Sequence, residues 1–363
     1  RALAHCGMKV HVVVGDHDQR GGGAWEPGNL KPENHIQHFG SINYSFLHKG
    51  VYFISYDCIF GNQEFEPSAW LVKELESLEK DRPIILLPHR PLTNVFFKTL
   101  KRFPIKACIS GHWHSSRLFE SEGIFHATCP SLSFGGIDFS PRSYRVFHWN
   151  GTELTCETFP LSKPASSGVN ADPKVKINWS APLGGKTVLG TPVISEKQIF
   201  VTSMEESGRG KGFLESFNLH SGAANWKAEV PASVKNSPAL SGKNIIAVTV
   251  TGEVHSIDHS SGKINWTQSL GDPSERWVYC APAVANGKVF VGSAGWFSAL
   301  DAGTGKELWK LQLEKAQGWS DWISSPASPA VDASRVYVGF LWRNGSVAAA
   351  EQSTGKVIWK LDA

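Results

Sequence analysis

The sequence has no long hydrophobic run and no marked excess of charge. No stretch approaches the roughly 20 apolar residues that a membrane-spanning helix needs. The 36 basic and 33 acidic residues give a net charge of +3, which is too small to favour nucleic acid or a membrane surface as a partner. We therefore expect no transmembrane segment in this chain and no nucleic-acid-binding patch.

The cysteines also give no indication of a disulfide framework or a metal-binding motif. There are six, and no two of them form a Cys-x-x-Cys pair, so neither a zinc ribbon nor a thioredoxin-type motif is supported. Several stand in apolar stretches, as Cys108 does, and are expected to be small buried side chains. One disulfide stays open as an alternative if the protein is exported.

The first part of the chain, residues 1–160, mixes strand and helix patterns. Apolar stretches of strand length occur at Val10–Val14, Val51–Tyr56, Ile84–Leu87 and Ala107–Ser110. Pro67–Lys80 carries its large apolar residues at near-helical spacing. Strands that alternate with a helix predict an α/β layer architecture, in which sites usually form just past the strand ends.

The pattern changes after residue 160. Residues 161–173 have the Pro, Ser and Gly content of a linker. Between residues 174 and 363, five tryptophans recur at intervals of 40 to 50 residues: Trp179, Trp226, Trp266, Trp309 and Trp359. A Gly-containing turn precedes each of the last four. This period is typical of four-stranded propeller blades. We predict an all-β domain that is an incomplete propeller of about four blades.

Three polar clusters follow predicted strands of the first part. They are the run 15–18, the single His89, and the run 111–114. Each cluster alone is weak, since a lone His after a strand is more often a hydrogen-bonded loop residue. Together they place imidazole and carboxylate groups at matching strand ends, which favours a divalent-metal site. The candidate residues are Asp16, His17, Asp18, His89, His112 and His114.

In this order the clusters resemble motifs of the calcineurin-like metallophosphoesterases. That family carries Gly-Asn-His-Asp/Glu, a lone His and Gly-His-x-His, which match residues 15–18, His89 and residues 111–114. The Tyr44-Ser-Phe46 region and Trp70-Leu71 also match, so the resemblance covers about residues 10–150. It implies a calcineurin-like α/β/β/α sandwich, here truncated at its N-terminal side.

The resemblance also implies residue roles. Asp16, His89 and His112 would bind one divalent ion and His114 a second, with Mn, Fe or Zn as candidates. His17, with Asp18 behind it, would act at the leaving-group oxygen as a stabiliser or general acid. The implied reaction is hydrolysis of a phosphomonoester or phosphodiester by metal-activated water.

Two departures from the family pattern bear on activity. Asp16 stands where the family has Asn, which adds a negative charge that could tighten metal binding and repel phosphate. Only 14 residues precede Gly15, and they contain neither Asp-x-His nor Gly-Asp-x-x-Asp. Those motifs supply most ligands of the first metal in the family. We therefore expect this chain by itself to be inactive, or nearly so.

The second part resembles quinoprotein-type (PQQ-like) repeats. Their pattern Ala-x-Asp-x-x-Thr-Gly-x-x-x-Trp is intact from Ala299 to Trp309. The resemblance implies a periplasmic or secreted protein, and a propeller that serves as an interaction platform. Trp319 and Trp322 could form an aromatic surface for a protein partner or could pack between blades.

Three functions are compatible with these features. The leading one is a metal-dependent phosphoesterase whose propeller binds a partner or positions a phosphate-ester substrate. The alternative is a non-catalytic binding scaffold with a degenerate phosphoesterase domain. The third, a quinone-dependent dehydrogenase, ranks low because many such enzymes carry a vicinal disulfide and this half has a single cysteine, Cys280. PQQ is accordingly not expected as a cofactor.

Overall fold

The structure is a computed structural model that describes residues 7–19, 32–59, 63–133, 135–161, 176–187, 189–293, 296–312, 327–340 and 346–362. These residues form two compact units. The first comprises Arg1–His114, Ser121–Cys129 and Trp149–Leu154, and the second Ser115–Glu120, Pro130–His148 and Thr155–Ala363, within the described ranges. The domain boundaries at 160 and 173 stay a prediction. The linker beyond Leu161, and Trp319 and Trp322, lie outside the described residues.

The elements up to residue 160 alternate between helix and strand. In chain order they are α1 (Glu33–Phe39), β1 (Tyr44–His48), β2 (Val51–Tyr56), α2 (Ala69–Ser77), β3 (Ile84–Pro88), α3 (Asn94–Thr99), β4 (Ile105–Ser110), β5 (Arg117–Ser121), β6 (Ile124–Thr128), β7 (Ser143–Trp149) and β8 (Leu154–Pro160). The strands and the helix predicted between residues 51 and 110 are therefore confirmed, with ends shifted by a few residues.

The sheet of the first unit is mixed. Its strands lie in the order β1-β2-β3-β4-β6. The β1–β2 pair is antiparallel, whereas β2–β3, β3–β4 and β4–β6 are parallel. Parallel strands are covered on both faces and therefore consist of nearly continuous apolar residues, which is why Ile84, Ile85 and Leu86 in β3 are all buried.

Helix α2 packs on this sheet through one apolar side. Ser68 caps its start, where the side chain accepts a hydrogen bond from the backbone N–H of Leu71 at 3.3 Å. Leu71 and Leu75 face inward and are buried in the same hydrophobic cluster as Ile54 and Leu86. The apolar spacing that predicted the helix is the spacing that forms this contact.

The strand predicted at Val10–Val14 is wrong. Residues 9–15 have no strand partner among the described residues, and the segment is held by side chains instead. Tyr44 Oη donates to the carbonyl oxygen of Val12 at 3.0 Å, and His11 stacks on Phe46. Val14 is fully buried. An apolar run becomes a strand only where a neighbouring backbone offers hydrogen bonds.

The repeat region is built from short strands. They are β9 (Val193–Ser195), β10 (Gln198–Met204), β11 (Gly212–Asn218), β12 (Ala224–Val230), β13 (Ala239–Ser241), β14 (Asn244–Val248), β15 (Glu253–Asp258), β16 (Ile264–Ser269), β17 (Ala283–Ala285), β18 (Lys288–Ser293), β19 (Trp296–Asp301), β20 (Glu307–Gln312), β21 (Ala330–Val331), β22 (Arg335–Phe340), β23 (Ser346–Glu351) and β24 (Val357–Asp362).

These strands form four antiparallel sheets of four strands each within the described part of the repeat region. Strands β9 to β12 make the first sheet, β13 to β16 the second, β17 to β20 the third and β21 to β24 the fourth. Each sheet corresponds to one propeller blade. The predicted class, α/β plus all-β with about four blades, is confirmed. No helix of the described residues has the length and hydrophobicity needed to cross a bilayer.

Among the described residues, four of the five recurring tryptophans dock on a turn of the next blade along the chain. Trp266 in blade two donates its indole N–H to the carbonyl of Ala302 at 3.1 Å, and its ring covers Gly305 in blade three. A Cβ at Gly305 would lie 2.5 Å from the Trp266 ring, and the φ of Gly305 is +74°. The same arrangement recurs in Trp179–Gly222, Trp226–Gly262 and Trp309–Gly355. The period in the sequence therefore reflects a tryptophan–glycine contact that repeats from one blade to the next.

Segments from before residue 161 also belong to the second unit. Cys156 and Gly208 exchange backbone hydrogen bonds, with Gly208 donating to Cys156 at 2.7 Å. Thr158 donates its hydroxyl to the carbonyl of Glu206. No sequence pattern predicted that these segments associate with the repeats.

Candidate metal centre

The site lies where two parallel strands end side by side. His89 directly follows β3, and Gly111 and His112 directly follow β4. The loops are joined by a hydrogen bond from the backbone N–H of Gly111 to the carbonyl oxygen of His89, at 2.9 Å. Adjacent parallel strands thus carry two histidines to one edge of the sheet.

Asp16 comes from the third segment and completes the group. Its Oδ1 lies 3.0 Å from Nε2 of His89, and its Oδ2 lies 3.7 Å from Nδ1 of His112. The two imidazole nitrogens are 3.2 Å apart. One ligand atom from each residue falls within 4.8 Å of the other two, and this is the metal-type cluster found among the described residues.

The electrostatics of these three side chains match the ligand forms of Asp and His. Burial of Asp16 by itself would raise its pKa, but the hydrogen bond from His89 and the nearby His112 lower it to about 2. Burial lowers the pKa of His112 to about 3, against the attraction of the Asp16 carboxylate. The carboxylate is therefore ionised and the His112 imidazole neutral near neutral pH.

A metal ion fits this donor set. Three electron-pair donors converge here. The facing nitrogens of His89 and His112 are 3.2 Å apart, so at most one of them can carry a proton when both rings are neutral, and the other offers a lone pair. One carboxylate oxygen and two imidazole nitrogens suit Mn, Fe or Zn. The described residues bring together ligands for one ion.

The other three candidates lie near this group in different ways. Burial lowers the pKa of His114, and the charge of Asp16 opposes that shift, so His114 is within electrostatic reach of the cluster. His17 has an exposed side chain, and its backbone N–H donates to Asp16 Oδ1 at 2.9 Å. Asp18 accepts the backbone N–H of Gly15 at 2.8 Å and so closes the loop that presents Asp16.

The backbone of the Gly-His-Trp-His run is unusual. His112 and His114 have φ values of +64° and +45°, in the left-handed region that non-glycine residues rarely adopt. Such conformations persist only where the surroundings determine them, and they concentrate at functional sites. This feature was not foreseen from the sequence.

Two family models match the chain. The model described as calcineurin-like phosphoesterase matches residues 1–116, and a PQQ-type model described as outer membrane protein assembly factor BamB matches residues 210–362. The chain combines a calcineurin-like phosphoesterase segment with a PQQ-type repeat segment. The expected two-part arrangement is thereby confirmed, and Asp16, His89 and His112 all fall in the phosphoesterase segment.

Individual proteins are also similar to part of this chain. BamB of Yersinia pestis is 27% identical over 158 residues, covering 42% of this chain and 40% of that protein. Quinohemoprotein alcohol dehydrogenase ADH IIB of Pseudomonas putida is 34% identical over 87 residues, covering 22% of this chain and 13% of that protein. This chain therefore spans less than half the length of these relatives.

Among solved structures, quinohemoprotein alcohol dehydrogenase ADHIIG of Pseudomonas putida aligns with a TM-score of 0.41 and 18% identity, covering 50% of this chain and 34% of that one.

Proposed function

We propose that the phosphoesterase segment is part of a metal-dependent hydrolase of phosphate esters. The observation that carries this proposal is the convergence of Asp16, His89 and His112, whose ligand atoms lie within 4.8 Å of one another. These three residues would hold one divalent ion and His114 would contribute to a second. When bound, such ions neutralise phosphate charge and lower the pKa of a coordinated water.

The chain's own residues have distinct roles in this proposal. Asp16 is held by His89 and by the backbone N–H of His17, so its carboxylate is oriented before any ligand arrives. His17 follows it with an exposed side chain that can reach a leaving-group oxygen and donate a proton there. Asp18 fixes the loop through Gly15 and thereby sets the direction of both.

The activity we expect is limited by the small number of ligands for a second metal ion. Two-metal phosphoesterases need a carboxylate that bridges both ions and further ligands for each. Among the described residues, the converging cluster contains three members. We accordingly expect this chain to bind one ion tightly and to hydrolyse phosphate esters slowly or not at all.

The test is Mn²⁺ binding followed by electron paramagnetic resonance, with inorganic phosphate as the anion. We expect one Mn²⁺ per chain, and paramagnetic broadening of the phosphate ³¹P resonance that depends on it. Asp16→Ala and His89→Ala should weaken Mn²⁺ binding at least tenfold. His148→Ala is the control, because His148 is 53% exposed and pairs with Glu157.

Two results would contradict the proposal. One is Mn²⁺ affinity in Asp16→Ala equal to that of the unmodified chain. The other is Mn²⁺ binding without any phosphate broadening. Turnover of p-nitrophenyl phosphate or its bis-ester with Mn²⁺ is measured in parallel, and rapid hydrolysis would support the phosphoesterase while refuting the expected inactivity of this chain.

A second candidate is a binding scaffold whose phosphoesterase segment is degenerate. The similarity of the repeats to outer membrane protein assembly factor BamB favours it, as does Asp16 in place of the family's Asn. Under either function we propose a periplasmic or secreted location and a protein partner on the propeller. Failure of both Asp16→Ala and His89→Ala to change Mn²⁺ binding would favour the scaffold.

Quinone-dependent oxidation is a weaker proposal. Its support is the similarity to quinohemoprotein alcohol dehydrogenase. Cys280, the single cysteine of this half, is a buried thiol that contacts the carbonyl of Gly292 at 3.3 Å. Burial raises its pKa to about 11, so this thiol is unreactive at neutral pH.

A further inference from the structure

Residues 176–180, in the second unit, have the sequence of a blade strand without its pairing. The tetrapeptide Lys-Ile-Asn-Trp occurs at 176–179 and again at 263–266, where it leads into β16, the fourth strand of the second blade. There it pairs with β15 in antiparallel register. Residues 176–180 pair with no strand among the described residues. The same four residues are therefore paired at one place in the unit and open at another.

The open copy docks on its neighbouring blade as the paired copies do. Trp179 donates its indole N–H to the carbonyl of Leu219 at 2.8 Å, and a Cβ at Gly222 would lie 2.5 Å from its ring. Trp266 makes the same contact with the third blade, again at the carbonyl three residues before a turn glycine. Residues 176–179 thus lie on the first blade where the fourth strand of a preceding blade lies on the later ones.

The backbone that follows the open segment is fixed to the first blade. The N–H of Gly184 donates to both carboxylate oxygens of the buried Glu215, at 2.9 and 3.0 Å. Lys186 and Met204 exchange two backbone hydrogen bonds of 2.8 Å. Together with the docked Trp179, these contacts hold the segment in place before any strand pairs with it. A strand that is already positioned loses less conformational freedom on pairing.

The open segment exposes an apolar side chain as well as backbone groups. Ile264, which has β15 beside it, is 37% exposed, whereas Ile177 at the matching position is 57% exposed. Unpaired backbone N–H and C=O groups beside an exposed apolar residue form a template for strand pairing. Residues 176–180 have this character.

The four complete blades show which strand fits such a template. In each of them the third strand places a small residue opposite the recurring tryptophan: Ser216, Ser256, Ala299 and Ala349. The register then passes over one residue, as it does at Asn265 between Ile264 and Trp266. Cross-strand neighbours share one face of a sheet, so a small residue leaves room for the indole.

We propose that residues 176–180 are an acceptor strand for β-strand addition. The partner is a separate protein segment that supplies an antiparallel strand of the β15 type, with Ser or Ala opposite Trp179. Backbone hydrogen bonds give the affinity, and the small residue sets the register. The inference rests on the proposed protein partner of the propeller and is independent of the metal centre.

A second copy of this chain is a poor source for the added strand. Its third strands, β11, β15, β19 and β23, each lie between two hydrogen-bonded neighbours in the described sheets. A second copy would have to open one of its blades to offer such a strand. A separate segment with a free strand bears no such cost.

The first experiment adds a synthetic peptide with the sequence of residues 252–260, which contains β15, to the full chain. We expect amide hydrogen exchange in residues 176–180 to slow about threefold or more. Residues 263–267 are the internal control, because the same tetrapeptide is already paired there and should keep its rate. The same peptide with Ser256→Pro lacks a ladder N–H and should leave both segments unchanged.

A second experiment removes the dependence on peptide affinity. Replacing residues 165–175 of the full chain by a copy of residues 252–262 places β15 and its turn directly before Lys176, as in the second blade. Tethering raises the effective concentration of the strand to the millimolar range, so exchange in residues 176–180 should slow about tenfold or more. The matched control carries Ser256→Pro in the inserted copy.

Three results would overturn the inference. The first is native exchange of residues 176–180 in the tethered chain, and the second is equal slowing in the tethered chain and its proline control. The third is slowing in the unmodified chain alone that rises with its concentration together with a dimer mass in sedimentation, because a second copy would then supply the strand. Slowing in the tethered chain but not in its proline control supports the inference whatever the free peptide does.

Failure of the wider proposal gives a different pattern. A protein that binds the propeller without slowing exchange in residues 176–180 keeps the proposed partner and overturns the acceptor strand. Protection by the peptide and by the tether keeps the acceptor strand even if the propeller proves to bind no other protein.

Discussion

Gly15 has little room for a side chain. A Cβ there would lie 3.2 Å from Oδ2 of Asp18 and 3.2 Å from Cε1 of His89. A side chain at the position before Asp16 would therefore crowd the ring of His89, a metal-ligand candidate. The neighbouring glycine of the site, Gly111, has ordinary space, since its Cβ would lie 3.8 Å from the His89 carbonyl oxygen.

We predict that Gly15→Ala weakens Mn²⁺ binding about tenfold, because the added methyl group displaces the His89 ring by a few tenths of an ångström. Gly111→Ala is the matched control and should change the affinity less than threefold. Both variants should retain the far-ultraviolet circular dichroism of the unmodified chain. Equal affinities for the two variants would show that the His89 ring moves aside without consequence.

At the scale of secondary-structure elements, the indole–glycine contact sets the blade spacing. The turn glycine of each blade also donates its N–H to a carbonyl four residues earlier, as Gly305 does to Asp301 at 2.8 Å. Asp301 Oδ1 in turn accepts the backbone N–H groups of Gly303 and Thr304. The turn is thus shaped locally, and the ring of the preceding blade covers it.

Substitution of the turn glycine tests this contact. Gly305→Ala adds a Cβ 2.5 Å from the Trp266 ring, whereas Gly287→Ala, in the same blade and with φ of +69°, meets nothing within 4 Å. Both bear the cost of a left-handed alanine, about 1 kcal/mol. We expect Gly305→Ala to lower the free energy of unfolding by about 1–3 kcal/mol more than Gly287→Ala. Denaturant titration measures this difference, and equal losses would contradict it.

Strand β15 contains a buried titratable group, His255. Burial lowers its pKa to about 4, and its Nδ1 lies 2.9 Å from Thr267 Oγ1. The unfolded chain, with a histidine pKa near 6.5, takes up this proton first as the pH falls. The contribution of His255 to stability is therefore constant above about pH 6.5 and is lost progressively between pH 6.5 and 4.

This linkage predicts a pH-dependent mutant effect. Relative to the unmodified chain, His255→Gln should lose about 3 kcal/mol less unfolding free energy between pH 7 and pH 4. Urea titrations at both pH values measure the loss. His220→Gln, at an exposed position, should follow the unmodified chain. Parallel pH profiles for all three proteins would exclude a neutral buried His255.

At the scale of the whole molecule, the two units differ in what a metal ion can stabilise. Asp16, His89 and His112 all lie in the first unit, whereas β9 to β24 lie in the second. A ligand stabilises the structure that must be intact for it to bind. The metal should therefore act on the first unit.

We predict that Mn²⁺ at about 100 times its Kd raises the unfolding free energy of the first unit by about 2.7 kcal/mol. Amide exchange should slow in peptides from β2, β3 and β4 and stay unchanged in peptides from β14, β15 and β19. Addition of EDTA should reverse the protection. Equal slowing in both sets of peptides would place the ion elsewhere or make the units one cooperative structure.

Features that depend on near neighbours were predictable from sequence. The regular spacing of Trp and Gly identified the blades, because the tryptophan–glycine contact occurs once in each blade. His89 and His112 were placed at strand ends because the apolar runs Ile84–Leu87 and Ala107–Ile109 end just before them. The Val10–Val14 run failed as a strand, since an apolar run does not say whether a partner backbone lies beside it.

The sequence by itself determined the two-part architecture, the repeat and the residue types of the candidate metal centre. Tertiary structure decided which of them meet. Asp16 and His89, 73 residues apart, are joined by a 3.0 Å contact, and Lys235 reaches Asp138 across 97 residues. Local patterns carry no record of such pairs, because the buried polar groups are matched only when distant segments fold together. Lys235, which no sequence pattern singled out, thereby also donates to the backbone carbonyl oxygen of Ser116.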